Sequence, residues 1–569
     1  MSLQRVAILL TLVGAASSLP VVRAAPTPPR RFADRPVAWR EHDDVRSAPA
    51  PVRNDIEDLQ LTLAIRDSLP NEIDRILALE GSRPALDVNA ADEVPCSTWF
   101  CPRNHLTPMS PEEVARGTGE APRLPLTISE GKEEGQSIGF IVRDAGGRKF
   151  LVKLDPLGHF GMATAGEIVG NLVFHAAGYN VPGAFIVDLS PADLRIAPSA
   201  TRTLFKVERR PLTEAWLRKT LRAAPRGPDG RWRAAAVRWI EGHPIGSFDM
   251  QGRRPGDPND LIPHEQRRSL RASWVPFAWL SVVDAGAINT LDTVITEDSH
   301  SYLRHYFIDF NAAFGSSTDK PQGLHQDGEY VIEIGRTLAA LFSFELYQRP
   351  FQKERDEYDR LVLAYPAIGY YPAESFDPDQ YRQNRKSPAF VRMTDRDAYW
   401  GAKVVTSFSD AQLAAVVAAA RLPADDARYL EHALEVRRDV IGRRYLRAIS
   451  AVERPSPSDD GRSVCFDDLA ISRGYAAKAT TRYRVTIVDG DGLPFATDER
   501  PSEGGRTCVP LGPLEDVPAR RYRVVEVRTI FDAGVQAATR PRMSKASRIH
   551  LQWRDGAHRF VVVGLDREE

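Results

Sequence analysis

Asp284, Asn289 five positions on, and Asp309 stand in one stretch, Trp279 to Gly315, and their types and order suit one chemistry. Transfer of a phosphoryl group from a nucleotide needs a carboxylate to orient the attacking hydroxyl and oxygen ligands for the cations that bridge the phosphates. Asp284 fits the first task, and the Asn289 carboxamide with the Asp309 carboxylate fits the second. Magnesium usually takes only one or two ligands from protein, so that pair suffices. Asp309 lies inside an apolar, strand-like run from Tyr306 to Phe310. Asp292 is an alternative base or metal ligand.

The elements that must position these groups lie upstream. Residues 138–143 and 149–154 read as two strands around an Asp-Ala-Gly-Gly turn. Lys153 sits among strand formers in Phe150 to Leu154, and it points into a covered face only if a negative group waits there. Ala163 to Gly178 has helical periodicity, stops at Gly178 and carries Glu167 in its first turns, where it can pair with Lys153. Gly131, Gly135 and Gly139 form a glycine-spaced loop suited to close over phosphates. Gly135-Gln-Ser137-Ile-Gly139 also matches the nucleophile elbow of serine hydrolases, which needs a strand before it and a helix after it. Here a charged loop precedes and a strand follows, so the hydrolase reading is set aside.

Further strands are predicted at 184–188, 202–207 and 235–240. An Asp-Pro-Asn-Asp turn then opens a basic helix, where Arg267, Arg268 and Arg271 form either a solvated, salt-bridged helix start or a loop that reads an acidic substrate group. Beyond Gly315 a polar loop leads to an apolar helix from Val331 to Leu346, and 350–400 read as irregular and rich in Tyr and Pro. Two helices follow, one capped by Ser409 or Asp410 and running to about Arg421, the other from Asp425 to Ala451. From about Pro455 strands dominate, at 482–488, 521–528, 548–553 and 558–563, the last two joined by an Asp555-Gly556 hairpin signal.

The chain has 569 residues, which calls for two or three domains. With 43% hydrophobic and 27% charged residues it is globular, and a net charge of -1 argues against nucleic acid or an anionic membrane as a partner. Arg5, an apolar run from Val6 to Leu19 and small residues up to Ala24 read as a secretory signal, with an uncleaved anchor as the alternative. No later segment is long and apolar enough to span a membrane, so the expected location is periplasmic or secreted. Residues 26–54 read as a disordered linker; 55–69 fit helix or strand, and a short helix follows through Ile73 to Leu77. Four cysteines allow three connectivities. Export and proximity favour Cys96 with Cys101 and Cys465 with Cys508 over a zinc site, for which only the first pair has short spacing. The Cys96–Cys101 turn is expected to pin the N-terminal arm onto the main body.

Residues about 126 to 315, with the helical continuation to 452, resemble the protein kinase-like superfamily, in particular its divergent exported bacterial branch of HipA-like and CotH-like kinase folds. The resemblance implies an α+β class: a two-lobed protein kinase-like fold, with a small β lobe and a larger helical lobe, followed by a C-terminal β-sandwich-like domain. The expected divisions are a signal peptide at 1–24, a linker at 25–55, an N-terminal arm at 56–125, an N-lobe at 126–208, a helical C-lobe at 209–452 and a β domain at 460–569. Carried over, Lys153 would hold the phosphates of ATP under Gly131, Gly135 and Gly139, Glu167 would orient Lys153, Asp284 would be the base, and Asn289 and Asp309 would bind Mg2+ or Mn2+. Val282 and Val283 stand where His-Arg is expected, Asn311 replaces the Gly after Asp309-Phe310, and no Ala-Pro-Glu follows. These departures count against activation-loop regulation and a conventional protein substrate. The function expected is an exported phosphotransferase acting on a hydroxyl of a protein or envelope molecule. The alternative is an inactive pseudokinase that binds an extracytoplasmic ligand or partner; an unrelated hydrolase or a structural envelope protein is a third reading. The acceptor, and whether phosphate or AMP moves, stay open.

Overall fold

The computed structural model describes residue 32 and residues 83–132, 137–204, 208–297, 300–330, 341–343, 350–514, 517–531 and 542–569. The signal peptide, most of the linker, the elements expected at 55–77, Gly135 and nearly all of the helix expected from Val331 lie outside the described residues. The strands are β1 Leu126–Lys132, β2 Gly139–Arg143, β3 Lys149–Leu154, β4 Ala184–Leu189, β5 Leu194–Leu204, β6 Glu208–Pro211, β7 Trp232–Arg238, β8 His243–Gly246, β9 Thr290–Glu297, β10 His300–Phe307, β11 Val452–Pro457, β12 Ser463–Asp468, β13 Thr481–Asp489, β14 Pro494–Pro501, β15 Arg506–Pro510, β16 Tyr522–Phe531, β17 Arg542–Met543, β18 Ser547–Arg554 and β19 Arg559–Arg567. The helices are α1 Pro111–Arg116, α2 Met162–Ala177, α3 Glu214–Arg222, α4 Arg268–Arg271, α5 Trp274–Trp279, α6 Arg355–Ala364, α7 Pro388–Val391, α8 Asp395–Val405, α9 Asp410–Ala420, α10 Ala424–Tyr445 and α11 Leu469–Ser472.

Seven strands form one sheet in the order β4-β7-β3-β2-β1-β5-β6. β1 and β5 run parallel; the other neighbours are antiparallel. The β2–β3 turn is held by Asp144, whose carboxylate accepts from the N–H groups of Gly146 (2.9 Å) and Arg148 (2.8 Å). Side chains alternate across a strand. Phe150, Val152 and Leu154 therefore fill one face with Leu217 and Leu221 of α3, while Leu151 and Lys153 face α2. A second sheet, β10-β9-β8, stands beside the body.

The largest core lies under α2 and joins it to α5, α8, α9 and α10. α9 starts as expected, with Ser409 and Gln412 capping it reciprocally, but α10 ends at Tyr445 rather than at Ala451. Residues 350–400, expected to be irregular, contain α6, α7 and α8, the last capped by Thr394 and Asp397. Tyr399 and Trp400 of α8 are core residues, so aromatic side chains there belong to a buried helix face rather than to a loop. Past Ala451, β11-β12-β15 and β14-β13-β16-β18-β19 form two sheets, with β17 on β16, and Phe466, Tyr483, Val525, Ile549 and Phe560 share one core between them. The whole is a mixed α/β chain. Disulfides join Cys96 to Cys101 and Cys465 to Cys508. No described helix is long and apolar enough to cross a membrane.

Candidate functional site

Lys153 is the centre of the site. Its ammonium donates to Glu167 Oε2 at 2.8 Å and to Asp309 Oδ1 at 2.9 Å. The Lys153 and Glu167 side chains are 7% and 0% exposed, whereas Asp309 keeps 34% of its side chain open. Burial alone would depress the Lys153 pKa, but Asp309 and Glu167 outweigh it and hold the ammonium above the ordinary lysine value. Burial opposes ionisation of Asp309 as well, and Lys153 overcomes it, keeping that carboxyl below its usual range.

The register of β3 against α2 explains the contact. Two residues past Lys153, the Asp155 carboxylate accepts from the N–H groups of Gly161 and Thr164, both at 2.9 Å, and so satisfies the orphan donors at the start of α2. One strand end thus carries both the lysine and the anchor of the helix that bears its partner. Asn171, one turn after Glu167, donates to Glu167 Oε1 at 3.0 Å and fixes the carboxylate from the other side.

Asp309 does not sit inside the strand. β10 ends at Phe307, and Asp309 adopts φ 63°, the left-handed region that Asp tolerates better than most residues. This kink turns the carboxylate out of the sheet pattern and toward Lys153. Phe310 then packs against Phe174 at 4.8 Å between ring centres. A Cβ on Gly166 would lie 2.8 Å from the Phe310 carbonyl oxygen, and one on Gly170 would lie 2.5 Å from the Phe310 side chain. Glycine at both positions lets this segment lie directly on α2.

Asp284 and Asn289 lie on the neighbouring segment. Asn289 Nδ2 donates to the Asp284 carbonyl oxygen at 3.0 Å, which leaves the carboxamide oxygen as a ligand donor, and the Ile308 N–H donates to the Asn289 carbonyl at 3.0 Å. That backbone bond brings Asn289 beside the Asp309 segment. The Asp284 carboxylate accepts from Asn384 Nδ2; burial pushes its pKa up, Asn384 opposes this, and Asp309 adds to the rise. Val282 and Val283 are 1% exposed, so apolar packing fills the positions where His-Arg is expected. The segment is braced further by Tyr381 Oη to the Val282 carbonyl (2.6 Å) and Arg437 Nη2 to Ser281 Oγ (2.7 Å). Ser281 Oγ donates to Asp327 at 2.7 Å, and burial, opposed by Arg437, pushes Asp327 up to about 6.

Several expectations need correction. Gly131 and Gly139 are strand residues, paired with Phe140 and Lys132 across the β1–β2 hairpin, rather than parts of a free loop. Each is small for a packing reason: a Cβ on Gly139 would meet the Val152 carbonyl at 2.1 Å, and one on Gly131 would meet Trp216 at 2.8 Å. Asp292 is no alternative base or ligand. It is fully buried and held by Arg254 and His305, each at 2.6 Å. Arg267, Arg268 and Arg271 form neither a solvated helix start nor a substrate loop: they are at most 1% exposed and pair with Asp260 (2.9 Å), Asp92 (2.7 Å) and Asp397 (3.4 Å) respectively. Asp260 lies seven residues before Arg267, in the turn that opens the helix, whereas Asp92 and Asp397 lie far away in sequence, so the burial of Arg268 and Arg271 had no local signal.

Sequence reading missed Lys132, Asp155, Asn171 and Asn384. Lys132, at the end of β1, donates to Ser137 Oγ; burial first, then Lys153, lowers its pKa. It is a second ammonium within electrostatic reach of Asp309, and its place in the glycine-spaced run was the signal available.

The Cys96–Cys101 turn packs as expected against the body. Trp99 stacks on His305 of β10 at 3.5 Å, the Arg267 guanidinium covers the Trp99 ring at 4.4 Å, and the Cys101 N–H donates to the Gly178 carbonyl at 2.9 Å. The turn therefore supports both the end of α2 and the hairpin that delivers Asp309.

No protein-family model matches the chain, and no curated protein matches it. Among solved structures, it is similar to a crystal structure of the Golgi casein kinase with Mn/ADP bound, at 13% identity over 68% of this chain and 96% of that one, with a TM-score of 0.23. A crystal structure described simply as the Golgi casein kinase aligns at 11% identity over 67% of this chain and 96% of that one, with a TM-score of 0.22. At these scores the likeness carries no weight for function, and it adds nothing specific to the HipA-like or CotH-like branch.

Proposed function

We propose that this chain is an exported phosphotransferase of two-lobed, kinase-like design, with β1–β7 and α2 as the small lobe, the helices from α4 to α10 as the larger one, and a C-terminal β sandwich behind them. The observation that carries this is one ammonium, Lys153, held between Glu167 at 2.8 Å and Asp309 at 2.9 Å. A lysine fixed by a helix carboxylate beside a metal-binding aspartate is the arrangement phosphoryl transfer uses to hold phosphates.

The residues present suit a hard divalent cation: Asp309 and Asn289 offer oxygen donors, and Asp309 is the one member of the Lys153 cluster with substantial exposure. Bound Mg2+ or Mn2+ would neutralise charge on the phosphates of ATP. Lys153 and Lys132 bind phosphate oxygens from the β1–β3 side, and Glu167 keeps Lys153 aimed. Asp284, its pKa raised by burial, accepts the proton of the acceptor hydroxyl while Asn384 fixes its orientation. The acceptor belongs to a protein or an envelope molecule. Two disulfides are compatible with an extracytoplasmic location.

A second reading is a pseudokinase that binds a ligand or partner without transferring a group. It is favoured by the direct Lys153–Asp309 bond, which engages the phosphate-binding group and the metal ligand with each other. Mass spectrometry of the mature protein after incubation with ATP and Mg2+ or Mn2+, beside Asp309→Ala, separates the two. A covalent phosphate or AMP on the unsubstituted chain alone supports transfer and identifies the group moved. No adduct, together with retained nucleotide binding, supports the pseudokinase.

A further inference from the structure

A cavity of about 450 Å³ lies where four parts of the chain meet: the segment after the Cys96–Cys101 turn, the α8–α9 connection, the second half of α10 and the residues around Gly474. None of the candidate catalytic residues lines it. Its walls include Arg438, Arg443, Arg473, Asn104, Ser407 and Tyr475, together with the His105 ring and one carboxylate, Asp439.

Ser407, Asn104 and Tyr475 are already committed, and Asp439 is held by Arg438 and Tyr475. Ser407 Oγ donates to the Val404 carbonyl at 2.7 Å, Asn104 Nδ2 donates to Ser407 and Gln412, and Tyr475 Oη donates to Asp439 at 3.0 Å. The guanidinium groups are not saturated. Arg473 uses one nitrogen, which donates to the Lys403 carbonyl at 2.6 Å and to Thr406 Oγ1, and it has no carboxylate ion pair among the described residues. Burial lowers its pKa, and Arg438 adds to that push. Arg438 uses Nε on Asp439 (2.9 Å) and Nη1 on Asp410 (2.6 Å). Arg443 is exposed, and among the described residues it has no hydrogen bond or ion pair.

Three guanidinium groups with donors to spare around one polar cavity make a cradle for an oxyanion, since arginine forks match phosphate geometry. We infer that this cavity binds a phosphate group, free or esterified to a small molecule, at a site separate from Lys153, Asp284 and Asp309. The volume lies within the range of about 300–1,000 Å³ of small-molecule pockets and leaves room beyond a bare phosphate.

Isothermal titration of the mature chain with inorganic phosphate and with glucose 1-phosphate tests this. The expected result is saturable binding that weakens about tenfold in Arg443→Gln and in Arg473→Gln, as loss of one charge-assisted bond requires. Arg443→Gln is the decisive variant because its exposed, unpaired side chain supports no part of the fold, and it should leave the Mn2+-dependent binding of ATP unchanged. Tighter binding of the sugar ester would identify an esterified ligand, and equal binding of the two would identify the free anion. No saturable binding of either probe, or binding unaltered in both variants, would overturn the inference, whatever the fate of the phosphotransfer reading.

Discussion

Breaking a buried ion pair costs about 3–5 kcal/mol when the remaining charge is left alone; after loss of Glu167, Lys153 keeps Asp309 at 2.9 Å, which lowers that cost. Glu167→Ala should therefore destabilise the chain by about 1–3 kcal/mol in urea unfolding and, with Lys153 held by Asp309 alone, weaken nucleotide binding. A cost below about 1 kcal/mol would show that the pair is not formed. Asp327 gives a pH signature. Its folded pKa of about 6 lies above the ordinary aspartate value, so the neutral carboxyl is the form the fold favours. Its stabilising contribution is complete below the unfolded value and is lost as pH rises through about 6. Relative to Asp327→Asn, the parent chain should lose stability between pH 4 and pH 7; parallel urea midpoints over that range would contradict the assignment. At this scale the sequence was informative where the signal is local. Lys153, Glu167 and Asp309 stood out because each interrupts or flanks an apolar pattern. Asp155 and Asn384 did not, because a cap supplied from a strand end and a carboxamide brought from a hundred residues away leave no local pattern.

Among the elements, α2 is the one on which the site depends. Alanine at Gly170 would gain about 1 kcal/mol in helix propensity. Its Cβ would also enter the space of the Phe310 side chain at 2.5 Å, and overpacking of this kind costs about 1–3 kcal/mol. The steric cost should win: Gly170→Ala should unfold at lower urea concentration and bind nucleotide more weakly, because Phe310 carries Asp309 with it. A more stable Gly170→Ala protein with undiminished binding would contradict the close packing. The elements themselves were largely legible: β2, β3, α2, α9 and four C-terminal strands follow from periodicity, turns and caps. The contact of Gly166 and Gly170 with Phe310 was not, since two glycines four apart in a helix do not reveal what lies against them.

For the whole molecule, a buried ionic network joins the N-terminal segment, the helical body and the C-terminal sheets. Asp92 receives Arg268 and Arg396, each at 2.7 Å, as well as Arg567, the last residue of β19. Lys403 of α8 reaches Glu93 and also Glu453 of β11, the latter at 2.6 Å. Burial resists ionisation of Asp92, and the three arginines overcome it to keep its carboxyl far below the usual range. Carboxylates so placed need all their partners, so the C-terminal sheets should not unfold separately. Scanning calorimetry should give one transition for the helical body and the C-terminal sheets, and Arg567→Met should lower it as a whole. Two resolved transitions, with the variant moving only one, would contradict this. The sequence suggested a division of the chain near 455, where strands replace helices, whereas the network crosses that boundary in space.

If Lys153, Glu167, Asp309 and Asn289 form a nucleotide and metal site, ATP binding must depend on both the cation and Asp309. Titration of the mature chain with ATP, with and without Mn2+, in the parent and in Asp309→Asn, measures that dependence. The expected result is saturable binding that requires the cation and weakens at least about tenfold in the variant. No binding, or binding indifferent to both the cation and the substitution, would contradict it.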